Sequence, residues 1–188
     1  MSKTIFKYIA LAAHAFLALV LGTPAHAQLK IGQGAPDFTL AAALGGKDMS
    51  FSLAKALKKG PVVIFFYPKS FTSVCTEEAH LFAEAMNEFE SFQASVIGIS
   101  ADKIETQREF SVSECRDRFP VAADPDMKVI KAYQVAFGAL GAVLPFADRV
   151  SFVIAPDGRI LSQVKSSDAA PHVQKSLEAV RNWAAKRS

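Results

Sequence analysis

The stretch Pro61-Val62-Val63-Ile64-Phe65-Phe66-Tyr67 decides the fold. It is a continuous apolar run bounded by Gly60 and Pro68. A half-buried strand alternates apolar and polar residues, whereas this run has no polar face and so predicts a central strand covered on both sides. After a short loop, Ala79, Phe82, Met86, Phe89 and Phe92 recur every three or four residues. That period puts them on one face of a helix over residues 73–92. A buried strand leading into a long amphipathic helix opens an α/β arrangement.

Working outward, Asp37-Phe38-Thr39-Leu40 and residues 49–53 flank Gly45-Gly46 and suit a small hairpin. On the other side, residues 95–100 read as a second buried strand and residues 103–115 as a polar helix. Val121-Ala122-Ala123 follows, then a short helix over residues 127–133 and a strand over residues 149–154. Asp157-Gly158 is a turn that joins this strand to residues 160–164, so the last two strands should be antiparallel. Val173, Leu177, Val180 and Ala184 mark a closing amphipathic helix after Pro171. The order implies an α/β domain with a mixed central sheet and helices on both faces. It matches a thioredoxin-like fold with extra N-terminal strands.

The chain has 188 residues, is 51% hydrophobic and has no biased tract, which places it among ordinary globular proteins. Residues 1–27 read as a secretory signal. Lys3 and Lys7 give a positive start, Tyr8 to Leu21 is an apolar run broken only by His14, and Ala25-His26-Ala27 is a small-x-small cleavage site. A run of that length rises about 21 Å as a helix, short of a hydrocarbon core of about 30 Å, so a cleaved signal is expected rather than a retained anchor. Residues 28–188 then form one domain, exported to the periplasm or secreted, with no membrane attachment after cleavage. Without Lys3 and Lys7 the remainder carries 19 basic against 18 acidic residues. That balance gives no electrostatic footprint for nucleic acid.

The chemistry concentrates in Pro68-Lys69-Ser70-Phe71-Thr72-Ser73-Val74-Cys75-Thr76-Glu77-Glu78, between the central strand and the long helix. A cysteine in the first turn of a helix meets unpaired backbone N–H groups and the positive end of the helix dipole, both of which favour the nucleophilic thiolate. Thr72 lies one turn earlier, within reach of the sulfur or of whatever binds it, and can also serve as a helix cap. Pro68 ends the strand and can wall off the pocket. Cys75 and Cys115 are the two cysteines, free to pair, stay apart or cycle in a disulfide-permissive compartment. His80 and His172 stand at no metal-ligand spacing to a cysteine, so no metal is expected and each is read as solvated or packed. No phosphate loop or other cofactor motif occurs.

Pro68, Thr72 and Cys75 at this spacing resemble the active-site signature of the peroxiredoxin family. The flanking Phe65-Phe66-Tyr67-Pro68-Lys69 and Cys75-Thr76-Glu77-Glu78-Ala79 look most like its bacterioferritin-comigratory, or PrxQ, branch. Gly34-Ala35-Pro36-Asp37-Phe38 is similar to the family's opening. Asp148-Arg149-Val150-Ser151-Phe152, before the Asp157-Gly158 turn, is similar to its distant arginine-bearing strand. The resemblance implies a thiol peroxidase acting on hydrogen peroxide and organic hydroperoxides, without a cofactor. Cys75 would be the peroxidatic nucleophile and pass through a sulfenic acid. Thr72 and Arg149 would hold the peroxide, and Glu78 would support the arginine. It further implies a thioredoxin-like or other thiol reductant and a monomer.

One departure matters. Many members of this branch carry a resolving cysteine five residues after the reactive one, and that position here is His80. Others place it in the next helix, at a position nearer Ser111; Cys115 is the internal candidate, expected on one helical face with Ser111. A one-cysteine enzyme with an inert Cys115 is the alternative. Two rival functions share the fold. An exported disulfide oxidoreductase needs Cys-x-x-Cys, but the residue three after Cys75 is Glu78; a non-catalytic binding protein predicts no special reactivity at Cys75.

Overall fold

The computed structural model describes residues 29–139 and 142–187, so the export signal expected over residues 1–27 lies outside the described residues. Strands β1 (Thr39–Leu44) and β2 (Lys47–Ser52) form the N-terminal hairpin. Its two-residue turn places Gly45 and Gly46 at φ 56° and 73°, the left-handed pair that matches the twist of the flanking strands. Next come α1 (Leu53–Leu57), β3 (Val62–Phe66), α2 (Ser73–Ser91), β4 (Ser95–Ser100) and α3 (Ile104–Ser113). The chain continues through β5 (Val121–Ala123), α4 (Lys128–Ala132), β6 (Ala136–Ala139) and β7 (Ala142–Ala147). It closes with β8 (Val150–Ile154), β9 (Ile160–Lys165) and α5 (Ala170–Ala185).

Seven strands form one sheet in the order β2-β1-β5-β4-β3-β8-β9, and β6 pairs with β7 in a separate ribbon. β3 runs parallel to β4 and antiparallel to β8, so the sheet is mixed. All five residues of β3 are buried, as its uninterrupted apolar character predicts. Val62, Ile64 and Phe66 join one core cluster with Leu53, Ile130, Tyr133 and Phe152. Val63, Phe65 and Tyr67 join the other, with Phe82, Phe89 and Val180. Each such burial contributes about 1.5–3 kcal/mol, so β3 anchors both layers. The Phe65 and Phe82 rings stack with centroids 4.5 Å apart and tie α2 to the strand that precedes it.

Three local expectations need correction. Leu53, read as the end of the second hairpin strand, begins α1. The β6–β7 ribbon has no counterpart in the sequence reading. Cys115 lies two residues beyond α3 rather than in its last turn. Both Glu114 N and Cys115 N donate to the carbonyl of Phe110, and Arg116 and Asp117 follow at φ 51° and 57°. This left-handed pair turns the chain, and the shared helical face expected for Ser111 and Cys115 ends with the helix.

Candidate active site

The loop between β3 and α2 is held from below. Tyr67 Oη donates to Gln107 Oε1 at 2.7 Å, and Gln107 Nε2 donates to Ser100 Oγ at 2.7 Å. Asp102 Oδ2 accepts from Ser100 Oγ at 2.9 Å and from the backbone N–H of Ser70 at 2.8 Å. A buried polar network with its members paired resists distortion, so the loop is fixed to the end of β4 and to α3. Phe71 then takes a left-handed φ of 64° and packs edge-on against Phe110, with centroids 5.2 Å apart. Thr72 is the N-cap residue, with extended φ −85° and ψ 151°. Its hydroxyl donates to the carbonyl of Lys69 at 3.0 Å and makes no side-chain cap bond. Thr72 therefore braces the loop, and the N–H groups opening α2 stay free of a threonine cap.

Cys75 is the third residue of α2 and is only 1% exposed. Glu78 lies three residues on, on the same helix face, and is fully buried. Across the sheet, β3 and β8 pair with Phe65 opposite Ser151. Side chains alternate along a strand, so Arg149, Ser151 and Val153 point to the face that α2 covers. Arg149 Nη2 donates to Cys75 Sγ at 3.2 Å, and Nη1 donates to Glu78 Oε2. One guanidinium thus bridges the thiol and the carboxyl through two parallel arms of its planar fork. Burial pushes the Glu78 carboxyl up to about 8, against the opposing pull of the Arg149 charge.

Outside the guanidinium lies a cleft of about 490 Å³ lined by Pro68, Phe137, Asp148, Arg149, Lys165 and Ser166. Pro68 is half-buried and forms one wall of this cleft. Asp148 accepts from Lys165 and turns the chain into β8. Cys75 does not line this cleft; the sulfur lies behind Arg149.

The other cysteine has a different setting. Cys115 is free, fully buried and in the same core cluster as Cys75. Burial pushes its thiol well up, and the carboxylates of Glu114 and Asp117 add to the effect. Ser111 accepts from the backbone N–H of Gly46 at 2.9 Å and belongs to the β1–β2 side. His80 pairs with Glu114 at 2.9 Å, part-exposed.

The structure therefore brings Cys75, Arg149 and Glu78 together, puts Pro68 on the cleft that Arg149 lines, leaves Thr72 exposed with its hydroxyl on the Lys69 carbonyl, and leaves Cys115 in the core. His172, read as solvated or packed, is packed, and what the sequence does not show is where. This side chain is fully buried behind Glu78, 2.7 Å from Ser151 Oγ, and nothing in its sequence neighbourhood signals it.

The chain has counterparts among known proteins. A model described as the AhpC/TSA family matches residues 31–163. A putative peroxiredoxin of Mycobacterium tuberculosis is 34% identical over 154 residues, 81% of this chain and 97% of that protein. The putative peroxiredoxin bcp of Helicobacter pylori is 34% identical over 161 residues, covering 81% and 99%. The crystal structure of peroxidoxin BcpB from Mycobacterium tuberculosis superposes with a TM-score of 0.74 at 33% identity, over 82% of this chain and 97% of that one. A structure of Xanthomonas campestris bacterioferritin comigratory protein, concerned with alkyl peroxide reduction, gives 0.68 at 26% identity over 77% and 92%.

Proposed function

From the premise that this chain belongs to the AhpC/TSA family and is a thiol-dependent peroxidase, we propose that Cys75 is its peroxidatic nucleophile. The observation that carries this assignment is the 3.2 Å contact from Arg149 Nη2 to Cys75 Sγ, made between residues 74 apart in the chain. A permanent cation at that distance stabilises the thiolate, and the opening of α2 adds dipole and free N–H groups.

The thiolate attacks the distal peroxide oxygen, the O–O bond breaks, and the departing alkoxide or hydroxide takes a proton and leaves as alcohol or water. Cys75 becomes a sulfenic acid. Charge grows on the leaving oxygen, where Arg149 and the first N–H groups of α2 can meet it more strongly than in the bound substrate. Thr72 keeps the loop in shape, and Pro68 shields the approach. Glu78 holds the second arm of the guanidinium.

Cys115 is the resolving cysteine in this proposal: its thiol condenses with the sulfenic acid and releases water. A disulfide needs the two Cα atoms within about 7 Å, and Cys115 is fully buried. Resolution therefore proceeds through local opening of the first turns of α2 and the segment after α3. The relatives named as bcp, BcpB and bacterioferritin comigratory protein support placement in that branch, and the alkyl peroxide reduction named for the last supports alkyl hydroperoxides as substrates beside hydrogen peroxide. The signal-like residues 1–27 support export to the periplasm, where a thioredoxin-like or other thiol donor returns the electrons. The domain acts as a monomer.

Mass spectrometry after one equivalent of peroxide tests the assignment. A two-hydrogen loss mapped to a Cys75–Cys115 crosslink is expected, together with loss of peroxide turnover in Cys75→Ser by about a thousandfold or more. Oxidised Cys75 beside a free Cys115 would leave a one-cysteine enzyme, and full turnover in Cys75→Ser would remove the nucleophile assignment.

A further inference from the structure

His172 and one oxygen of Glu78 have no part in the steps above, yet both are buried directly behind the reactive pair. His172 lies in the first turn of α5, with Nε2 3.2 Å from the carbonyl oxygen of Ser166. A carbonyl only accepts, so Nε2 carries the hydrogen and Nδ1 presents its lone pair in the neutral ring. Nδ1 is 2.7 Å from Ser151 Oγ and 3.7 Å from Glu78 Oε1. Oε1 is buried and makes no hydrogen bond to any described residue. Such an oxygen is costly to leave bare. Here it faces a ring nitrogen across a gap that about 1 Å of closure turns into a hydrogen bond.

Charge balance gives the gap a purpose. With Cys75 as thiolate, Arg149 charged, Glu78 ionised and His172 neutral, the buried cluster carries a net negative charge, which a low-dielectric site disfavours. One added proton on Glu78 or His172 restores neutrality and leaves the thiolate as the partner of the guanidinium. Nδ1 has a single in-plane site, which Ser151 Oγ fills at 2.7 Å; the serine hydroxyl rotates freely and cedes that site to Glu78 Oε1 when the gap closes. The charged groups facing His172 are Glu78 from α2 and Arg149 from the entry to β8; Cys75 lies beyond the guanidinium, and Asp168 before α5 is exposed. Burial favours the neutral form of both members, raising the Glu78 carboxyl and lowering the His172 imidazole, which places the proton on Oε1 toward Nδ1.

We propose that Glu78 and His172 together hold one proton between Oε1 and Nδ1, and that His172 is thereby a positioning residue that keeps the Arg149 charge for the Cys75 sulfur. This rests on Cys75 being the nucleophile. The test is the pH profile of Cys75 alkylation by iodoacetamide in the full chain carrying Cys115→Ser. Asparagine puts an amide atom near the place of Nδ1, and glutamine near that of Nε2. His172→Gln keeps the Ser166 anchor but loses the partner of Glu78, so its alkylation midpoint should move up by about one pH unit, a tenfold smaller thiolate fraction below the midpoint. His172→Asn should move it less than half as far. An unmoved midpoint in His172→Gln, or equal shifts in the two variants, overturns the proposal, because packing and the Ser166 anchor would then explain the residue.

Side-chain 15N NMR of the histidine-labelled, unsubstituted chain needs no variant. The Nδ1 resonance of His172 should move when Cys75 is oxidised, and a resonance that stays put also overturns the proposal. Failure of the underlying assignment looks different: the parent would alkylate with the midpoint of a free cysteine, and Cys75→Ser would retain turnover.

Discussion

Cys75 and Cys115 are equally buried, at 1% and 0% exposure, and share one apolar cluster, yet the charges beside them have opposite signs. Cys75 opens a helix and touches a guanidinium. Cys115 follows the end of a helix and faces two carboxylates. Burial alone makes a thiol inert, because it penalises the charged form that reacts. The contrast teaches that a single charge, placed by the pairing of two strands, separates the proposed nucleophile from a core residue.

Removing that charge is the largest available perturbation. Arg149→Ala should slow oxidation of Cys75 by peroxide by about a hundredfold, the scale found when a donor to developing charge is deleted. Stopped-flow oxidation under single-turnover conditions measures it. Arg149→Lys should recover only part of the rate, since an ammonium cannot bond Cys75 and Glu78 through one planar fork. A rate in Arg149→Ala within a few-fold of the parent would erase the distinction between the two cysteines.

Much of this contrast was legible in sequence, unevenly. β3 and α2 were readable because an apolar run without a polar face and a three-to-four period admit few other structures. Cys75 and Arg149 were matched through resemblance, but the contact between them depends on the β3–β8 register, which no local pattern states. His172 and the Tyr67–Gln107–Asp102 network were invisible for the same reason: each is a meeting of side chains from separate elements. The β6–β7 ribbon, with Gly138 and Pro145 among small and apolar residues, shows no clean alternation. The early end of α3 has neither glycine nor proline to announce it, since Arg116 and Asp117 make the turn.

A second perturbation acts on the charge behind the arginine. Glu78 is raised from 4.5 to about 8 on folding, so between these values the native state binds more protons than the unfolded chain, and stability falls as pH rises. His172 is lowered from 6.5, so its contribution is lost as pH falls through the region below that value. Between pH 6.5 and 8 the Glu78 effect acts without the histidine's opposition. In Cys75→Ser, where no thiolate intervenes, Tm should drop by several degrees across that window, and Glu78→Gln in the same background should flatten the slope. A slope that survives Glu78→Gln would assign the proton elsewhere.

The smallest effect is expected on the Cys115 side. Burial is the leading reason that this thiol is held protonated, with Glu114 and Asp117 secondary. Glu114 is already paired with His80, and Asp117 is exposed and screened by solvent, so neither presents a bare charge to the sulfur. Glu114→Gln with Asp117→Asn should therefore speed alkylation of Cys115, measured in Cys75→Ser, by less than about fivefold, the range of a screened surface pair. Loosening the segment should matter more: if Cys115 reacts through local opening, mild urea will raise its rate well before global unfolding. A gain of a hundredfold from the two neutral substitutions, with no response to urea, would mean that carboxylates rather than burial keep Cys115 quiet. The two cysteines would then differ only in the sign of the charge beside them.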